Sequence, residues 1–281
     1  MVSFQDVYGL DVSGECDEQT WSALIEASWK LGERLLYVRT QNIRGDDVAE
    51  LQSQLNRLGF NCDRVDGIYG PRTAAAVSEF QRNLGIKEDG ISTPEFIDVL
   101  IRMGLQSGAG PGVAVVRESM QLGTSTAHTN ARLAIGFFAG GAPLAQAILR
   151  RCRETYPLTT SVDADASVQA NAANSFDADA YIGCEMTDDI GCIISYYEVP
   201  TFVSAGGRNL ALRIAAAISD RVPELAVHTQ GVRHQVLRET RMPAVMCSMA
   251  PASVVSLKTS ALSSAIHDAF GAWRDNPSLQ L

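Results

Sequence analysis

The strongest constraint on the fold lies in residues 46–103, where two apolar stripes with helical spacing flank a glycine-rich turn. The first stripe comprises Val48, Leu51, Leu55 and Leu58, and the second comprises Val77, Phe80 and Leu84. Gly59 and Gly85 are natural helix ends. Between the stripes, Asp66-Gly67 and Tyr69-Gly70-Pro71 supply the positive φ angles and the helix-opening proline that a tight reversal requires. The pattern predicts a small all-helical module.

These residues resemble the peptidoglycan-binding-domain family, with the pattern LQ..L..LG....VDG.YGP.T..AV..FQ...GI...G. The resemblance implies a compact three-helix fold that binds the bacterial cell wall. Its candidate contacts to a glycan or a protein are Asp66, Gly67, Tyr69, Gly70 and Arg72. Tyr69 and Arg72 are preferred, because an aromatic ring stacks on sugar faces and an arginine pairs with carboxylates. The alternative is that Tyr69 caps the hydrophobic core.

Part of the same pattern precedes the module. At one constant offset, Phe4, Gln5, Gly9, Leu10, Gly14 and Leu24 correspond to Phe80, Gln81, Gly85, Ile86, Gly90 and Leu100. The first copy lacks its opening helix. We therefore expect a partial repeat over residues 1–40, a repeat over 41–104, a linker rich in glycine over 105–112, and a different domain over 113–281.

The second half alternates short apolar runs with helical stripes. Runs of strand length include 132–138, 180–183, 192–197 and 244–247, and the helical stripes centre on Ile148, Ile214 and Ile266. Strands that alternate with helices predict an α/β layer. The predicted fold class is therefore α + α/β, with small helical repeats followed by an α/β domain. Residues 113–130 give no clear assignment.

Three segments of this half resemble zinc-dependent N-acetylmuramoyl-L-alanine amidases of the third family. They are Leu133-Ala-Ile-Gly-Phe-Phe-Ala-Gly-Gly141, Ala173-Asn174 with Ala178-Asp-Ala-Tyr-Ile-Gly183, and Gly231-Val232 with Val236-Leu-Arg-Glu-Thr-Arg-Met-Pro-Ala-Val245. The resemblance implies an amidase-like domain with a central mixed sheet. Arg238 and Glu239 are expected to belong to its cleft.

The same resemblance implies that the catalytic centre is degenerate. In those amidases two histidines and a glutamate hold zinc, and another glutamate takes a proton from the bound water. Here Ala139 stands at the first histidine, Glu185 at the second, and Ser248 at the catalytic glutamate. We therefore expect no metal, no cofactor and no catalysis, as in a pseudoenzyme. His228 and His234, placed by the sequence in the loop before Leu237, offer an alternative in which they rebuild a metal site with Glu185.

Composition limits the partners and the compartment. A net charge of -9 leaves no basic surface for nucleic acid. The six cysteines are scattered without metal-ligand spacing, and we interpret them as free thiols in a reducing compartment. No apolar run reaches the length of a membrane span, and the N-terminus lacks a signal-peptide pattern. These features favour a cytoplasmic location. The acidic residues around Asp163 and Asp165 are expected to form a solvated face.

The combination of wall-binding repeats with a degenerate amidase domain resembles the CwlM-like family of actinobacterial regulators. That resemblance implies a non-catalytic protein that binds peptidoglycan or its precursors and tunes their synthesis. The implied partner enzyme is UDP-N-acetylglucosamine enolpyruvyl transferase. Two alternatives remain at this stage: an exported N-acetylmuramoyl-L-alanine amidase with a rebuilt metal site, and a plain wall-binding module.

Overall fold

The computed structural model describes residues 1–8, 10, 12–106, 130–188, 190–199 and 202–276. The chain forms two compact units, a helical one at the N-terminus and a sheet with its helices in the remainder. Most of the expected linker, from residue 107 onward, and nearly all of the unassigned segment 113–130 lie outside the described residues. The predicted domain boundaries therefore stay predictions.

The regular elements described in the first unit are helices, and two isolated β-bridges join Leu36 to Ser92 and Arg44 to Ile68. The helices are α1 (Val2–Tyr8), α2 (Glu18–Ser28), α3 (Asp46–Arg57), α4 (Pro71–Leu84) and α5 (Pro94–Gln106). The helix ends follow the expected residues: Pro71 opens α4, and Gly85 closes it at a φ of 68°. The two apolar stripes supply much of the core, together with Phe96, Ile97 and Leu100 from α5. The all-helical prediction for this region is confirmed.

A buried glutamine fixes the loop between α4 and α5. The Gln81 side chain is 3% exposed. Its Oε1 accepts a hydrogen bond from the Gly90 amide at 2.9 Å, while its Nε2 donates to the Asp89 carboxylate at 2.9 Å and to the Ile91 carbonyl at 3.1 Å. A buried amide needs such partners, because leaving its polar atoms unsatisfied is costly. The loop is therefore fixed by one side chain.

Two other buried glutamines hold loops in the same way. The Gln5 amide bonds to the Ser13 hydroxyl, the Gly14 N–H and the Glu15 carbonyl. The Gln52 amide bonds in the same way to the Asp66 carboxylate, the Gly67 N–H and the Ile68 carbonyl. The central residue in all three loops is a glycine with a φ between 65° and 77°. Gln5 and Gln81 are equivalent in the sequence repeat, so the two copies fold alike at this point.

We expect the substitution Gln81→Ala to loosen the loop before α5. Removal of the amide leaves the Gly90 N–H and the Ile91 carbonyl without their partner, so the free energy of local opening should fall by about 1–3 kcal/mol. Hydrogen exchange of the Gly90 and Ile91 amides measures this change. The control is Gln19→Ala on the exposed surface of α2, which should leave both rates nearly unchanged. Equal exchange in the two variants would contradict the assigned role.

In the second unit, the described strands form one mixed sheet. They are β1 (Leu133–Phe137), β2 (Thr160–Val162), β3 (Ala180–Met186), β4 (Gly191–Val199), β5 (Phe202–Val203), β6 (Val227–Val232) and β7 (Ala244–Ala250). The order is β2-β1-β3-β7-β4-β5, and β6 also pairs with β4. Strands β2, β1, β3 and β7 are parallel, while β4 runs antiparallel to β7. The mixed α/β sheet confirms the predicted fold class.

Helices cover both faces of this sheet. They are α6 (Ala142–Thr155), α7 (Ala166–Ser175), α8 (Ala205–Arg221), α9 (Gln235–Glu239) and α10 (Ala252–Asp275). Alternate strand residues such as Ile135, Ile182 and Cys247 pack with α6, α8 and α10 in the main core. The other set of strand residues, which includes Gly136 and Tyr181, faces α7. Strands β2, β5 and β6 and helices α7 and α9 were not predicted, because they are short or half-exposed.

A fourth buried glutamine connects α7 to the sheet. The Tyr181 hydroxyl donates to Gln169 Oε1 at 2.6 Å, and Gln169 Nε2 donates to the Phe137 carbonyl at 3.0 Å and the Ala164 carbonyl at 2.7 Å. A Cβ on Gly136 would lie 1.9 Å from Gln169 Oε1, so this strand position requires glycine. One side chain thus joins the end of β1 to the loop that follows β2.

None of the described helices combines the length and the apolarity that crossing a bilayer requires.

Candidate functional site

The positions that correspond to the amidase centre lie at the carboxyl ends of β1, β3 and β7. Glu185 and Ser248 are direct partners in the β3–β7 register. The Ser248 hydroxyl donates a 2.5 Å hydrogen bond to Glu185 Oε1. Ala139 follows β1, and its carbonyl accepts from the Met186 amide at 2.9 Å. The three positions therefore lie around the same end of the sheet.

The two glycines after Ala139 are needed for packing. A Cβ on Gly141 would lie 2.1 Å from the Cys184 carbonyl oxygen, which is much closer than a side-chain carbon can approach that atom. Gly140 has a φ of 73°, a left-handed conformation that favours glycine. These contacts require the Gly-Gly turn whether or not a metal is nearby. The turn alone is therefore no evidence for a catalytic centre.

His234 lies beside this centre and caps α9. Its Nδ1 accepts a hydrogen bond from the Val236 amide at 3.3 Å, which places the proton of the neutral ring on Nε2. Burial lowers the pKa of His234, and the negative charge of Glu185 partly opposes that shift. The ring also meets Phe138 edge-on, with the centroids 6.0 Å apart. At neutral pH the centre therefore contains an uncharged imidazole.

The side chains present do not fit the zinc site of the amidase family. A catalytic zinc site uses three protein ligands, whereas Ala139 has no donor atom in its side chain. His228 is exposed on β6, so the prediction that it lies in the following loop is wrong. Across the described ranges, no three histidine, cysteine, aspartate or glutamate side chains are grouped to hold a metal. Glu185 and His234 provide at most two ligands.

Arg238 and Glu239 belong to α9, which packs against α7. The Asn174 side chain donates to the Glu239 carbonyl at 2.9 Å and accepts from the Arg241 amide at 2.8 Å. Two segments of the amidase resemblance therefore contact each other for structural reasons. Arg238 is only 6% exposed, so it offers little surface to a ligand, and the membership of Arg238 and Glu239 in the cleft stays a prediction.

In the helical unit, the predicted contact residues have different surroundings. Gln52 bonds to the Asp66 carboxylate and the Gly67 amide, which gives both residues a structural role. Tyr69 is completely buried, and its hydroxyl donates to the Gly90 carbonyl at 2.9 Å. Its ring therefore presents no face to a sugar, which corrects the expected stacking role and agrees with the alternative that it belongs to the core.

Gly70 and Arg72 remain at the surface of this unit. Gly70 is half-buried, and a Cβ added there would meet no atom within 4 Å. The Arg72 side chain is 57% exposed and forms a 2.8 Å ion pair with Asp63. Arg72 is the predicted contact whose charged end is best placed for a partner.

Sequence reasoning missed an open cleft of about 540 Å³ beside Ala139. The acidic residues Asp163 and Asp165 lie along it, and their spacing in sequence had indicated only a solvated face. The short strand β2 shows no alternation of buried and exposed residues, so its pairing with β1 could not be predicted from the sequence. Two sequence signals for this region were available: the Gly140-Gly141 turn after β1, and Asp165, which occupies the N-cap position of α7.

Comparisons with known proteins agree with both halves of this description. Residues 44–100 match the family described as "Putative peptidoglycan binding domain". Over 276 residues the chain is 30% identical to N-acetylmuramoyl-L-alanine amidase CwlM of Mycobacterium tuberculosis, an alignment that covers 86% of this chain and 68% of the relative. The chain belongs to the CwlM family. This membership confirms the resemblance found in the sequence.

Relatives outside the CwlM family match single parts of the chain. A spore cortex-lytic enzyme of Bacillus cereus is 38% identical over 58 residues, which are 21% of this chain and 22% of that enzyme. An N-acetylmuramoyl-L-alanine amidase structure from Clostridium difficile covers 52% of this chain and 98% of its own, with 15% identity and a TM-score of 0.43. An N-acetylmuramoyl-L-alanine amidase structure from Nostoc punctiforme covers 52% of this chain and 98% of its own, with 14% identity and a TM-score of 0.42.

We expect the stability of the second unit to depend on His234 below about pH 6.5, its ordinary pKa. Because the folded protein holds this pKa below the unfolded value, the stabilisation is present above that pH and is lost as the pH falls through the folded pKa. The slope is at most one proton, or about 1.4 kcal/mol per pH unit. His234→Asn keeps a capping acceptor and should remove this part of the pH dependence.

Urea unfolding between pH 5 and pH 7.5, followed through the fluorescence of buried Trp273, measures the difference between wild type and His234→Asn. The matched control is His228→Asn on exposed β6, which should keep the wild-type slope. A His234→Asn variant with the wild-type slope would contradict the assigned titration.

Proposed function

We propose that this protein is a non-catalytic, peptidoglycan-related binding protein that modulates the synthesis of cell-wall precursors. The helical unit supplies a wall-related binding module, and the amidase-like unit acts as a docking surface without hydrolysis. Membership of the CwlM family and the matched peptidoglycan-binding domain support the relation to the wall. The proposed absence of catalysis rests on the chemistry of the residues at the amidase-like centre.

The hydrogen bond between Ser248 and Glu185 carries this part of the proposal. In the amidase arrangement, Ser248 stands where a carboxylate would take a proton from water, and a serine hydroxyl is no base at neutral pH. Here the hydroxyl donates to the carboxylate at Glu185 instead. With Ala139 at the position of the first histidine and Glu185 at that of the second, the centre lacks the ligand set and the base of a zinc amidase.

The competing hypothesis is an exported amidase with a rebuilt metal site, and the placement of His234 beside Glu185 is the observation in its favour. We expect purified protein, equilibrated with excess zinc and desalted, to contain far less than one zinc per chain. Elemental analysis measures this ratio, with Glu185→Ala as the matched background. A ratio near one that Glu185→Ala abolishes would replace the binding hypothesis by the amidase hypothesis.

Within the binding module, we propose that Arg72 contacts the carboxylates of the wall or of a partner protein. Half-buried Gly70 and Asp66 are the neighbouring surface residues, and buried Gly67 shapes the turn between them. The charge of Arg72 is accessible although Asp63 pairs with it. Tyr69 belongs to the core, where its hydroxyl donates to the Gly90 carbonyl, and it contributes no contact of its own.

We expect Arg72→Ala to weaken binding to isolated peptidoglycan sacculi by about two- to fivefold, the contribution of one exposed charge pair. Sedimentation with sacculi at increasing protein concentration measures the apparent Kd. Arg82→Ala is a close control, because Arg82 lies on the same helix, is 63% exposed and is paired with Glu88. Equal losses in the two variants would indicate a non-specific charge effect and remove Arg72 from the site.

We further propose a cytoplasmic location and an enzyme partner in precursor synthesis, with UDP-N-acetylglucosamine enolpyruvyl transferase as the first candidate. All six cysteines are free, and five are buried, as suits a reducing compartment. Burial raises the pKa of Cys184 to about 12, so this thiol is unreactive. Stimulation of the purified transferase by this protein tests the partner, and an unchanged rate over a titration would argue against it.

A further inference from the structure

Helices α1 and α2 are the structural counterparts of α4 and α5. Their buried glutamines hold matching loops, and the caps of the helices that follow these loops match as well. Asp17 accepts a hydrogen bond from the Thr20 amide at 2.7 Å at the start of α2, and Thr93 accepts one from the Phe96 amide at 3.2 Å at the start of α5. The sequence offset that relates the two repeats therefore also relates their structures.

In the second repeat, a third helix covers the pair formed by α4 and α5. Helix α3 packs against both of them. Its apolar stripe shares one core with residues of the pair: Val48, Leu51 and Leu55 from α3, and Phe80, Ile97 and Leu100 from α4 and α5. This arrangement shows what covers such a helix pair, namely an amphipathic helix with apolar residues at three- and four-residue spacing.

The corresponding positions of the first repeat are accessible. Trp21, which occupies the position of Ile97, is 59% exposed, whereas Ile97 is 2% exposed. Phe4 and Leu24 are half-buried, although their counterparts in the second repeat are buried. Ile25, one turn after Trp21 on α2, is 44% exposed. We call the surface of these four residues of the first repeat the α1–α2 face.

An apolar face is unusual at the end of a repeat array. A terminal repeat that only closes an array presents a polar outer face, which keeps the protein soluble. Clustered apolar side chains at a protein surface are instead typical of binding sites for other molecules. The α1–α2 face therefore has the properties of a docking surface for a helix.

The charges around this face indicate the chemistry of the docking helix. Residues 1–28 contain no lysine or arginine, and they contain six acidic residues: Asp6, Asp11, Glu15, Asp17, Glu18 and Glu26. Glu18 is exposed and lies one turn before Trp21 on the same side of α2. A second copy of this chain would bring an equally acidic face against it, which is unfavourable, whereas a helix with basic flanks would be attracted.

We infer that the α1–α2 face binds a basic amphipathic helix of a partner protein, in the place that α3 has on α4 and α5. Trp21 is the central apolar anchor, and the surrounding carboxylates orient the basic flanks of the helix. This surface lies within the helical unit. The inference therefore holds whether or not the amidase-like unit is catalytic.

The test uses the full chain and two fluorescently labelled peptides based on residues 46–58. A hydrocarbon staple between positions 46 and 50 keeps each peptide helical, and both retain the apolar stripe of α3. Positions 47, 54 and 56 flank this stripe; they carry lysine in the basic peptide and glutamate in the acidic one, and position 57 carries glutamine in both. Fluorescence anisotropy measures the two Kd values, and the basic peptide should bind at least about fivefold more tightly.

Trp21→Ala should weaken binding of the basic peptide by at least about tenfold, as removal of a central aromatic anchor does. Because Trp21 is largely exposed, the substitution should leave the fold intact. Leu257→Ala is the matched control, since Leu257 is an 83% exposed apolar residue on α10, and it should leave the Kd unchanged. Unchanged affinity in Trp21→Ala would overturn the inference.

The charge preference has its own pair of variants. Glu15→Gln with Glu18→Gln should reduce the preference for the basic peptide. Glu79→Gln with Asp98→Asn removes two exposed charges from the second repeat and should leave the preference unchanged. Equal affinities of the wild type for both peptides would overturn the inference. A dimer in sedimentation equilibrium that Trp21→Ala separates would assign the face to a second copy and would also overturn it.

Discussion

Buried glutamine side chains organise the loops of both units. Gln5, Gln52, Gln81 and Gln169 are each at most 3% exposed, and each bonds through both ends of its amide. A primary amide has two donor hydrogens and an acceptor oxygen, so one side chain can fix several backbone groups that no strand or helix reaches. The loops that these four glutamines hold are consequently fixed by side-chain hydrogen bonds in place of a strand or helix ladder.

The sequence predicted the parts of the fold whose residues repeat with a clear period. The stripe from Val48 to Leu58 and the Gly70-Pro71 junction are local signals, and the structure places helices where they indicate. The three residues of β2 are all half-exposed, and β6 has only a weak alternation of apolar and polar residues. Neither strand could therefore be distinguished from a loop by its sequence. Their positions depend on pairing with β1 and β4, and pairing is a non-local property.

The candidate site was only partly visible in the same way. Family resemblance identified Ala139, Glu185 and Ser248, because their neighbours match a motif in fixed order. It gave no sign that the Ser248 hydroxyl would bond to Glu185, since the two residues are 63 positions apart and meet through the β3–β7 register. The prediction for Tyr69 was wrong for a different reason. An aromatic side chain suggests stacking on a sugar, but in this small module the ring is buried in the hydrophobic core.

The bond between Ser248 and Glu185 also limits how the chain can evolve. A single substitution at Ser248 to glutamate would place two carboxylates side by side with no metal between them, and their repulsion would raise a pKa and cost stability. An acidic residue at Ser248 is therefore unfavourable unless Glu185 changes with it, so these two positions are coupled in evolution although 63 residues separate them in the chain.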